Sequence, residues 1–506
     1  MNSQDSQTHH IDTHRSKNST MEANHWTVCP KCYGQGKKGR RIRKKVRLAY
    51  LKALELFEQS NQQGEPPERP KKHMELCLHC SGSGLLLSAT PTTPNPEEYP
   101  HVAIIGGGIG GVALAVACQH RGIPFTLYER DLSFDERSQG YGLTLQQASK
   151  AIEGFGVFSL QEGVVSTRHV VHTPEGKVVG EWGMRKWLHS GDKTAPKRTN
   201  IHIARQSLRY ALLEKLGQDK VAWGHQLTSF TASKSAGVEL SFQVDGVEKQ
   251  AKADLVVGAD GIRSVVRRLL IDEETTPLRY LGCIVILGIC PLKDINDMSG
   301  DIDQEKQNLL DSATVFQTAN GTERIYMMPY DADSVMWQLS FPMAEDEAKA
   351  LSGLGAKALK EEACRRTQWH APIPQILSAT SADKVSGYPV YDRALLTKAL
   401  LCKEDNVTLI GDAVHPMSPF KGQGANQALL DALSLARTIT KNCLPFTPWQ
   451  GVGIRQSVLN EFEEEMLTRS NVKVKDSAEA AEFLHSDVVL YEGDEPRGRC
   501  RKKATD

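Results

Sequence analysis

The stretch HVAIIGGGIGGVALAVACQHRGIPFTLYERD, residues 101–131, carries the strongest indication of fold in this chain. Its start, VAIIG, is a short apolar and β-branched run, which predicts a buried strand. Gly106, Gly108 and Gly111 follow at once in the pattern G-x-G-x-x-G, and apolar residues then continue at helical spacing. FTLYE predicts a second strand that ends at Glu129. The stretch therefore predicts a strand–helix–strand unit of a parallel sheet.

Each part of this unit suits the binding of a dinucleotide. Gly106 permits a tight turn, Gly108 lets the backbone approach a pyrophosphate, and Gly111 lets the helix pack closely on the strand. The pyrophosphate then lies at the positive N-terminus of the helix. Glu129 can accept hydrogen bonds from ribose hydroxyls and disfavours a 2′-phosphate, which favours FAD or NAD over NADP. Arg130 follows it, either along the adenosine or as a solvated charge. A glycine-rich turn that binds no ligand is the alternative.

Length and composition indicate a multidomain globular protein. The chain has 506 residues, more than one compact core usually holds, and 61 Lys+Arg balance 61 Asp+Glu, so net charge does not indicate a polyanionic partner. No uninterrupted apolar run reaches about 18 residues, so no transmembrane helix is expected. The polar N-terminus lacks the apolar core of a signal peptide. Seven of the eleven cysteines are scattered without pattern, which favours an intracellular, cytoplasmic protein.

Two later segments narrow the choice of cofactor. ADLVVGADGIRSVVRRLL, residues 253–270, predicts a buried strand, then Asp260-Gly261, then a helix. NVTLIGDAVHPMSPFKGQGANQALLDALSLA, residues 406–436, predicts a strand that ends near Asp412, a loop poor in bulky side chains, and a helix. With residues 101–131, these segments resemble the three signature segments of the class A flavoprotein monooxygenases, the single-component aromatic hydroxylase family.

The resemblance covers residues 101 to about 485 and implies an α/β fold. It consists of a Rossmann-like FAD-binding domain, like that of p-hydroxybenzoate hydroxylase, with a β-sheet substrate domain and C-terminal helices. We expect six segments along the chain: a disordered tail (1–25), a zinc-binding-like module (26–86), a linker (87–99), an FAD-binding domain (100–454) with an inserted substrate domain (about 165–200 and 281–385), C-terminal helices (455–487) and a polar, frayed tail (488–506).

The resemblance also implies an activity and a cofactor site. The enzyme would use FAD, NAD(P)H and O₂ to hydroxylate a small aromatic or polycyclic molecule through a flavin C4a-hydroperoxide. Asp412, after Gly411, would bind a ribityl hydroxyl. Backbone N–H groups and the helix dipole would stabilise reduced flavin at its pyrimidine edge. The loop at that edge would be formed by Pro419, Gly422, Gly424 and Asn426. Alternatively, Asp412 only caps a turn and the glycines serve chain geometry.

Further flavin contacts follow from the family's motifs. Arg205 resembles the arginine that starts the family's R-x-x-L helix and contacts FAD, although a solvent-facing arginine is the alternative. Asp260 resembles the DG motif linked to FAD and NAD(P)H, and it could also cap the following helix. Arg263, Arg267 and Arg268 add a basic surface that could meet a dinucleotide phosphate.

No catalytic base stands out, because the cofactor carries the difficult step. The catalytic candidates are therefore the flavin-loop residues Pro419, Gly422 and Gly424, and His415 is more readily explained by loop structure than as a proton shuttle. In the substrate domain, alternation along SVMWQLSF separates Met336, Gln338 and Ser340 from Trp337, Leu339 and Phe341. The pattern leaves open which face covers the pocket.

Two N-terminal motifs point to a metal. CPKCYGQG (29–36) and CLHCSGSG (77–84) share C-x-x-C-x-G-x-G and resemble the zinc-binding repeat of DnaJ-type chaperones. Two such knuckles predict one structural four-thiolate zinc site, and a redox dithiol is the alternative. The ligands would be Cys29, Cys32, Cys77 and Cys80. The DnaJ domain has four repeats and this chain has two, so chaperone activity does not follow.

The insert between the knuckles, RIRKKVRLAYLKALELFEQS, predicts a basic helix. From Lys31 to Lys52 there are ten Lys/Arg and no acidic residue. The helix could bind an acidic protein partner, an anionic membrane surface or nucleic acid, or form a solvated face. Two other functions stay open for the whole chain: a flavin oxidase or dehydrogenase on the same fold, and an interaction protein whose flavin domain is vestigial.

Overall fold

The computed structural model describes residues 25–60, 64–68, 70, 73–136, 140–186, 200–233, 237–298, 308–443 and 449–503. The tail predicted for residues 1–25 lies almost wholly outside the described residues. Residues 187–199, which end the first predicted substrate-domain segment, also lie outside the described residues.

A five-stranded parallel sheet forms the centre of the first domain, as the three signature segments predict. The strands are short and mostly buried because helices cover the sheet. Their order across the sheet is Val221–Ala222, Phe125–Tyr128, Val102–Ile105, Leu255–Gly258 and Val407–Leu409. Two helices pack against each other beside it, Ile109–Gln119 and Gly424–Asn442, and Arg205–Leu213 packs on the first of them.

Two three-stranded antiparallel sheets extend this domain. One is a meander of Gln226–Ser233, Gly237–Val244 and Val247–Ala253. The other has Asn200–Ala204 between Gly142–Leu145 and Val164–Ser166. The helix Val265–Leu270 follows the Leu255–Gly258 strand, and the short helix Lys398–Leu401 precedes Val407–Leu409.

A seven-stranded mixed sheet forms the second domain. Its order is Val178–Trp182, Arg168–His172, Thr314–Ala319, Arg324–Pro329, Ser334–Pro342, Leu278–Pro291 and Val385–Arg393. All neighbours are antiparallel except Arg168–His172 and Thr314–Ala319. Four helices accompany the sheet: Leu292–Met298, Glu345–Gly353, Ala356–Arg366 and Ile373–Ala379.

The burial of this sheet decides which of its faces is open. Trp337, Leu339 and Phe341 pack in an apolar core with residues of the accompanying helices. Met336 and Gln338 lie on the opposite face, toward the first domain, and line a cavity there. The alternation along SVMWQLSF left open which face covers the pocket. The structure shows that it is the face with Met336 and Gln338.

The C-terminal segment is helical, as its amphipathic pattern predicts. A π-helical turn, Arg455–Leu459, leads directly into the helix Asn460–Phe483. The expectation of a frayed tail after residue 487 is wrong for its described part. A 3₁₀ turn, Asp487–Leu490, and a helix, Arg497–Lys503, follow, and the Gly493 N–H donates to the Val179 carbonyl at 3.0 Å. Backbone pairing with the second sheet orders a stretch whose composition is polar.

The N-terminal module is small and built around its two cysteine motifs. His25–Val28 pairs with Leu85–Ser88, so a strand occupies the start of the predicted linker, and Lys37–Gly39 pairs with Met74–Leu76. The predicted basic helix is present as Lys44–Gln59, and none of its residues is buried. Among the described helices, none combines the length and apolar composition that crossing a membrane requires.

Candidate active site

A cavity of about 1410 Å³ lies between the parallel sheet and the open face of the seven-stranded sheet. It is at the carboxyl ends of the parallel strands, where open α/β sheets bind ligands. The predicted flavin-site residues that line it are Gly108, Arg130, Arg205, Asp260, Gly411, Asp412, Pro419, Gly422 and Gly424. Residues from three distant signature segments thus meet at one site.

The fingerprint glycines have the separate roles that their spacing predicts. Gly106 has φ +108°, and a Cβ there would meet the Ala259 carbonyl oxygen at 2.7 Å. A Cβ on Gly111 would come within 1.9 Å of the Gly106 oxygen, so helix and turn need glycine at this contact. Nothing lies within 4 Å of a Cβ built on Gly108, which faces the cavity where the helix Ile109–Gln119 begins. The open backbone at a helix N-terminus is suited to an anion.

Glu129 helps to hold the fingerprint loop. Its buried carboxylate accepts hydrogen bonds from the Gly107 N–H at 2.7 Å and the Asp131 N–H at 3.1 Å. Arg130 is largely exposed at the cavity wall. Glu129 is not among the residues that line the cavity, so its contact with an adenosine ribose stays a prediction.

Asp260 caps a helix, which is one of the two roles that the sequence predicts for the DG motif. Its carboxylate accepts from the Val265 N–H at 2.7 Å, the Val266 N–H at 3.2 Å and the Ser264 hydroxyl. Burial raises the pKa of the Asp260 carboxyl, and these hydrogen bonds oppose that shift. Because Asp260 also lines the cavity, capping and ligand contact are compatible here.

Arg267 is not part of the basic surface that the sequence predicts for Arg263, Arg267 and Arg268. Its side chain is 2% exposed and donates to the Ala413 and Val414 carbonyls, both at 3.0 Å, so it cannot meet a dinucleotide phosphate. It instead joins the second signature segment to the turn after Asp412. Burial lowers the pKa of Arg267 to about 10.

Asp412 lies in the cavity wall beside a cation. Its carboxylate is accessible from the cavity but surrounded by protein, and desolvation raises its pKa while Arg205 opposes the rise. Arg205 donates to the Tyr141 hydroxyl at 3.1 Å and begins its helix as predicted. Tyr141 and, to a smaller extent, Asp412 raise the pKa of Arg205, and burial opposes the rise. The pair offers one anionic and one cationic group to a polar ligand.

Asp431, which the sequence reasoning missed, fixes the turn that presents Asp412. It is fully buried and accepts from the Gly411 N–H at 2.8 Å, from His415 Nε2 at 2.7 Å and from Arg469 at 2.9 Å. Interactions with His415 and Arg469 lower the pKa of this carboxyl against the opposing effect of burial. The signal was a single acid on an apolar helix face, LLDALSLA. His415 therefore has the loop-structure role.

Asn426 requires a correction to its expected role. Its amide oxygen accepts from the Gln146 N–H at 2.8 Å and the Ala148 N–H at 3.1 Å, and its amide nitrogen donates to the Thr144 and Gly422 carbonyls, each at 2.8 Å. These four bonds are the full capacity of an asparagine side chain. Asn426 therefore joins the loop at 140–148 to the flavin loop, and its buried side chain has no group left for a ligand.

Gln146 reinforces the same junction between the two loops. It donates to the Lys421 carbonyl at 3.2 Å and accepts from Gln423 at 2.7 Å. Gln147, its neighbour, lines the cavity. Gln146 therefore helps to position the flavin loop.

Comparison with known proteins also indicates an FAD-binding site in this part of the chain. The family described as "FAD binding domain" matches residues 99–443, more than half of the chain. The chain belongs to this family. Its curated relatives include FAD-dependent monooxygenases, which supports an oxidoreductase of the class A flavoprotein monooxygenase type.

Two relatives illustrate the similarity in sequence. Aurachin C monooxygenase/isomerase of Stigmatella aurantiaca is 28% identical over 369 residues, which are 71% of this chain and 86% of the relative. 3-Amino-4-hydroxybenzoate 2-monooxygenase of Streptomyces cremeus is 25% identical over 394 residues, 76% of this chain and 87% of the relative.

Two solved structures share the fold. HpxO of Klebsiella pneumoniae, complexed with FAD and uric acid, has a TM-score of 0.61 at 20% identity, over 80% of this chain and 91% of that one. 2,6-Dihydroxypyridine-3-hydroxylase of Arthrobacter nicotinovorans has a TM-score of 0.61 at 20% identity, over 80% and 99%.

This flavoprotein also carries a buried cluster of four cysteines. The sulfurs of Cys29, Cys32, Cys77 and Cys80 lie within 4.8 Å of one another. The two knuckles make corresponding hydrogen bonds to one cysteine each. The Gly36 N–H donates to Cys32 Sγ and the Gly84 N–H to Cys80 Sγ, both at 3.3 Å.

The glycines of the knuckles allow this close approach. A Cβ on Gly36 would come within 2.1 Å of the Gly82 oxygen, and one on Gly84 within 2.3 Å of the Gly34 oxygen. The sequence repeat therefore encodes a face-to-face pair of turns, and it brings together all four cysteines that the motif predicts.

Proposed function

We propose that this protein is an FAD- and NAD(P)H-dependent monooxygenase that uses O₂ to hydroxylate a small aromatic or polycyclic molecule. The observation that carries the proposal is the single cavity in which the three signature segments meet the open face of the second sheet. A site of this kind can hold a dinucleotide on one side and a substrate on the other.

The residues of the chain would divide the binding of FAD among them. The backbone at Gly108 and the helix that begins there would hold the pyrophosphate, and Asp412 would accept from a ribityl hydroxyl. The loop from Pro419 to Gly424 would face the isoalloxazine, with the positive end of the helix Gly424–Asn442 behind it. When bound, FAD supplies the redox chemistry with NAD(P)H and O₂. The second sheet would cover the site and exclude water.

The purified protein tests this proposal directly. We expect a bound-flavin absorption spectrum, FAD released on denaturation, NAD(P)H oxidation stimulated by substrate, and ¹⁸O from ¹⁸O₂ in the product. Substrate oxidation without ¹⁸O in the product would favour the oxidase or dehydrogenase alternative. A colourless protein that does not take up added FAD would favour the interaction-protein alternative.

We also propose a structural zinc ion held by Cys29, Cys32, Cys77 and Cys80. Four sulfurs about 2.3 Å from a tetrahedral zinc are about 3.8 Å apart, and the Cys32 and Cys80 sulfurs are 3.7 Å apart. The N–H···S bonds from Gly36 and Gly84 suit thiolates, whose charge they stabilise. Metal analysis should find one zinc per chain in the wild-type protein and none after Cys32→Ser with Cys80→Ser.

We further propose that the N-terminal module binds an acidic protein partner and that the protein is cytoplasmic. The helix Lys44–Gln59 has no buried residue and a strongly basic first half, which supports binding to an acidic protein partner. All eleven cysteines are free, which supports a cytoplasmic location. Charge reversal at Lys44, Lys45 and Arg47 should abolish capture of that partner and leave the flavin spectrum unchanged.

A further inference from the structure

A group of polar side chains lies on the cavity face of the seven-stranded sheet, apart from the residues assigned to the flavin. We call this group the roof cluster. Neighbouring strands bring its members together, since Tyr326 pairs with Gln338 on one side and with Gln317 on the other. The roof cluster consists of His169, Gln317, Arg324, Tyr326 and Gln338, all of which line the cavity.

Arg324 is the unusual member of the roof cluster. It is 4% exposed, donates through Nε to Gln317 Oε1 at 2.8 Å, and lies with its guanidinium 5.0 Å from the Tyr326 ring. No acidic side chain of the described residues forms an ion pair with it, and neither of its Nη groups has an acceptor there. Burial lowers its pKa to about 10, so it is charged at neutral pH.

The other buried arginines of the described chain differ in this respect. Each donates through a terminal nitrogen to at least one protein oxygen; Arg455, for example, donates to Glu463, and Arg393 to the Thr276 carbonyl. The remaining ones are Arg121, Arg209, Arg267 and Arg497. A buried charge without a partner is costly, so it is kept where a ligand provides the counter-charge.

The other cations that line the cavity are bonded to protein oxygens, paired with an acidic side chain or at least partly exposed to solvent. Lys421 forms an ion pair with Asp476 at 3.7 Å, and Lys349 forms one with Glu345 at 2.6 Å. Arg130 and Arg263 are exposed to solvent, where a charge gains little from an anion. Lys473 is only partly buried, and Arg205 lies beside the carboxylate of Asp412. Arg324 is therefore the cation best placed to bind an anion with strength and direction.

A chain of contacts places Arg324 toward the flavin loop. It pairs across the sheet with Ser340, whose hydroxyl lies 2.8 Å from His485 Nε2. The His485 ring packs edge-on against Phe420, with centroids 5.4 Å apart. Phe420 belongs to the loop proposed to face the isoalloxazine, so a ligand at Arg324 lies near that end of the cavity.

His202 provides an independent sign of a ligand. It is fully buried at the cavity wall, and its Nδ1 lies 3.0 Å from the Thr144 hydroxyl. Its Nε2 has no protein partner, so in either tautomer one hydrogen-bonding group is left over. Met328 and Met336 lie between these polar groups and provide an apolar surface for a ring.

We propose that Arg324 binds an anionic oxygen of the substrate, and that the enzyme therefore acts on aromatic compounds that carry a carboxylate or an acidic phenol or enol. The inference rests on the proposed function and names the substrate class of that same site. Charge-assisted bonds to guanidinium, often bidentate, would fix the position of the ring. Neutral arenes lack the group that satisfies Arg324 and would bind weakly.

Binding to the FAD-loaded protein tests this, with the flavin spectrum as readout. The probes are hydroxybenzoates with their matched hydroxybenzamides, and acidic enols such as 4-hydroxycoumarin with their methyl ethers. We expect at least one anion to bind about tenfold or more tightly than its neutral counterpart. Arg324→Gln should abolish that preference, and Arg324→Lys should retain part of it. The two pairs of probes distinguish carboxylate from enolate.

Arg365→Gln provides the matched control, because this arginine is on the surface and pairs with Glu362. It should leave the preference unchanged, and all variants should keep the wild-type FAD content. If no anion binds more tightly than its neutral counterpart, or if Arg324→Gln retains the preference, the inference is overturned. Wild-type protein that fails to bind FAD or to oxidise NAD(P)H would instead overturn the proposed function.

Discussion

Asp412 lines the cavity and is the acidic group that we propose as the contact of the ribityl chain. Burial raises its pKa, and Arg205 holds the carboxyl toward its ionised form. Asp412→Ala removes the acceptor and leaves Arg205 without its neighbouring anion, so we expect FAD affinity to fall by about tenfold or more. Flavin absorbance of the purified variant and FAD titration measure this. The exposed Asp383→Ala should bind FAD normally. Full FAD content in Asp412→Ala would show that the ribityl contact lies elsewhere.

Asp431 makes the stability of this turn dependent on pH. Its pKa is lowered in the folded state, so its contribution is complete above the unfolded value of about 4 and is lost as pH falls through the folded value. Asp431→Asn leaves Arg469 without its buried anion and should reduce the free energy of unfolding by about 3 kcal/mol at pH 7. Urea unfolding at pH 7 and at pH 3 should show the difference shrinking at the lower pH. A constant difference would contradict this role.

At the scale of elements, the junction between two loops depends on one helix residue. Asn426, near the start of the helix Gly424–Asn442, bonds both loops through four hydrogen bonds. Asn426→Ala should lower the free energy of unfolding by about 2–4 kcal/mol and also weaken FAD binding, because the flavin loop loses its support. Asn442→Ala, at the other end of the same helix, should lower stability alone. Equal FAD affinity in the two variants would refute the positioning role.

The sequence allowed good prediction of elements and poor prediction of partners. Strands, helix starts and the three signature segments follow from apolar runs and glycine spacing, which are local properties. The roles of Arg267, Asn426 and Asp431 depend on contacts with residues up to 282 positions away, which no local pattern encodes. The same holds for Arg324, because only the stacking of the sheet shows which of its faces is open.

At the scale of the whole molecule, the cysteine module is attached to the two helices that begin at the cavity. Arg437, 13 residues and so roughly 20 Å along its helix from Gly424, donates to the Gly34 carbonyl at 3.2 Å and the Ser83 carbonyl at 3.1 Å. Arg121, just beyond the helix Ile109–Gln119, donates to the same Gly34 carbonyl at 3.5 Å. The knuckles therefore hold the far ends of both helices whose starts line the cavity.

This attachment predicts that metal and flavin binding are coupled. Zinc removal by a chelator, or Cys32→Ser with Cys80→Ser, should loosen the knuckle at Gly34 and raise the FAD dissociation constant by about fivefold or more, and added FAD should in turn slow zinc loss. FAD titration and zinc-release kinetics measure the two directions. Cys402→Ser, at an exposed cysteine outside the cluster, is the matched control and should alter neither quantity. Unchanged FAD affinity in zinc-free protein would mean that the module is independent of the flavin site, despite the hydrogen bonds from Arg437 and Arg121 to Gly34.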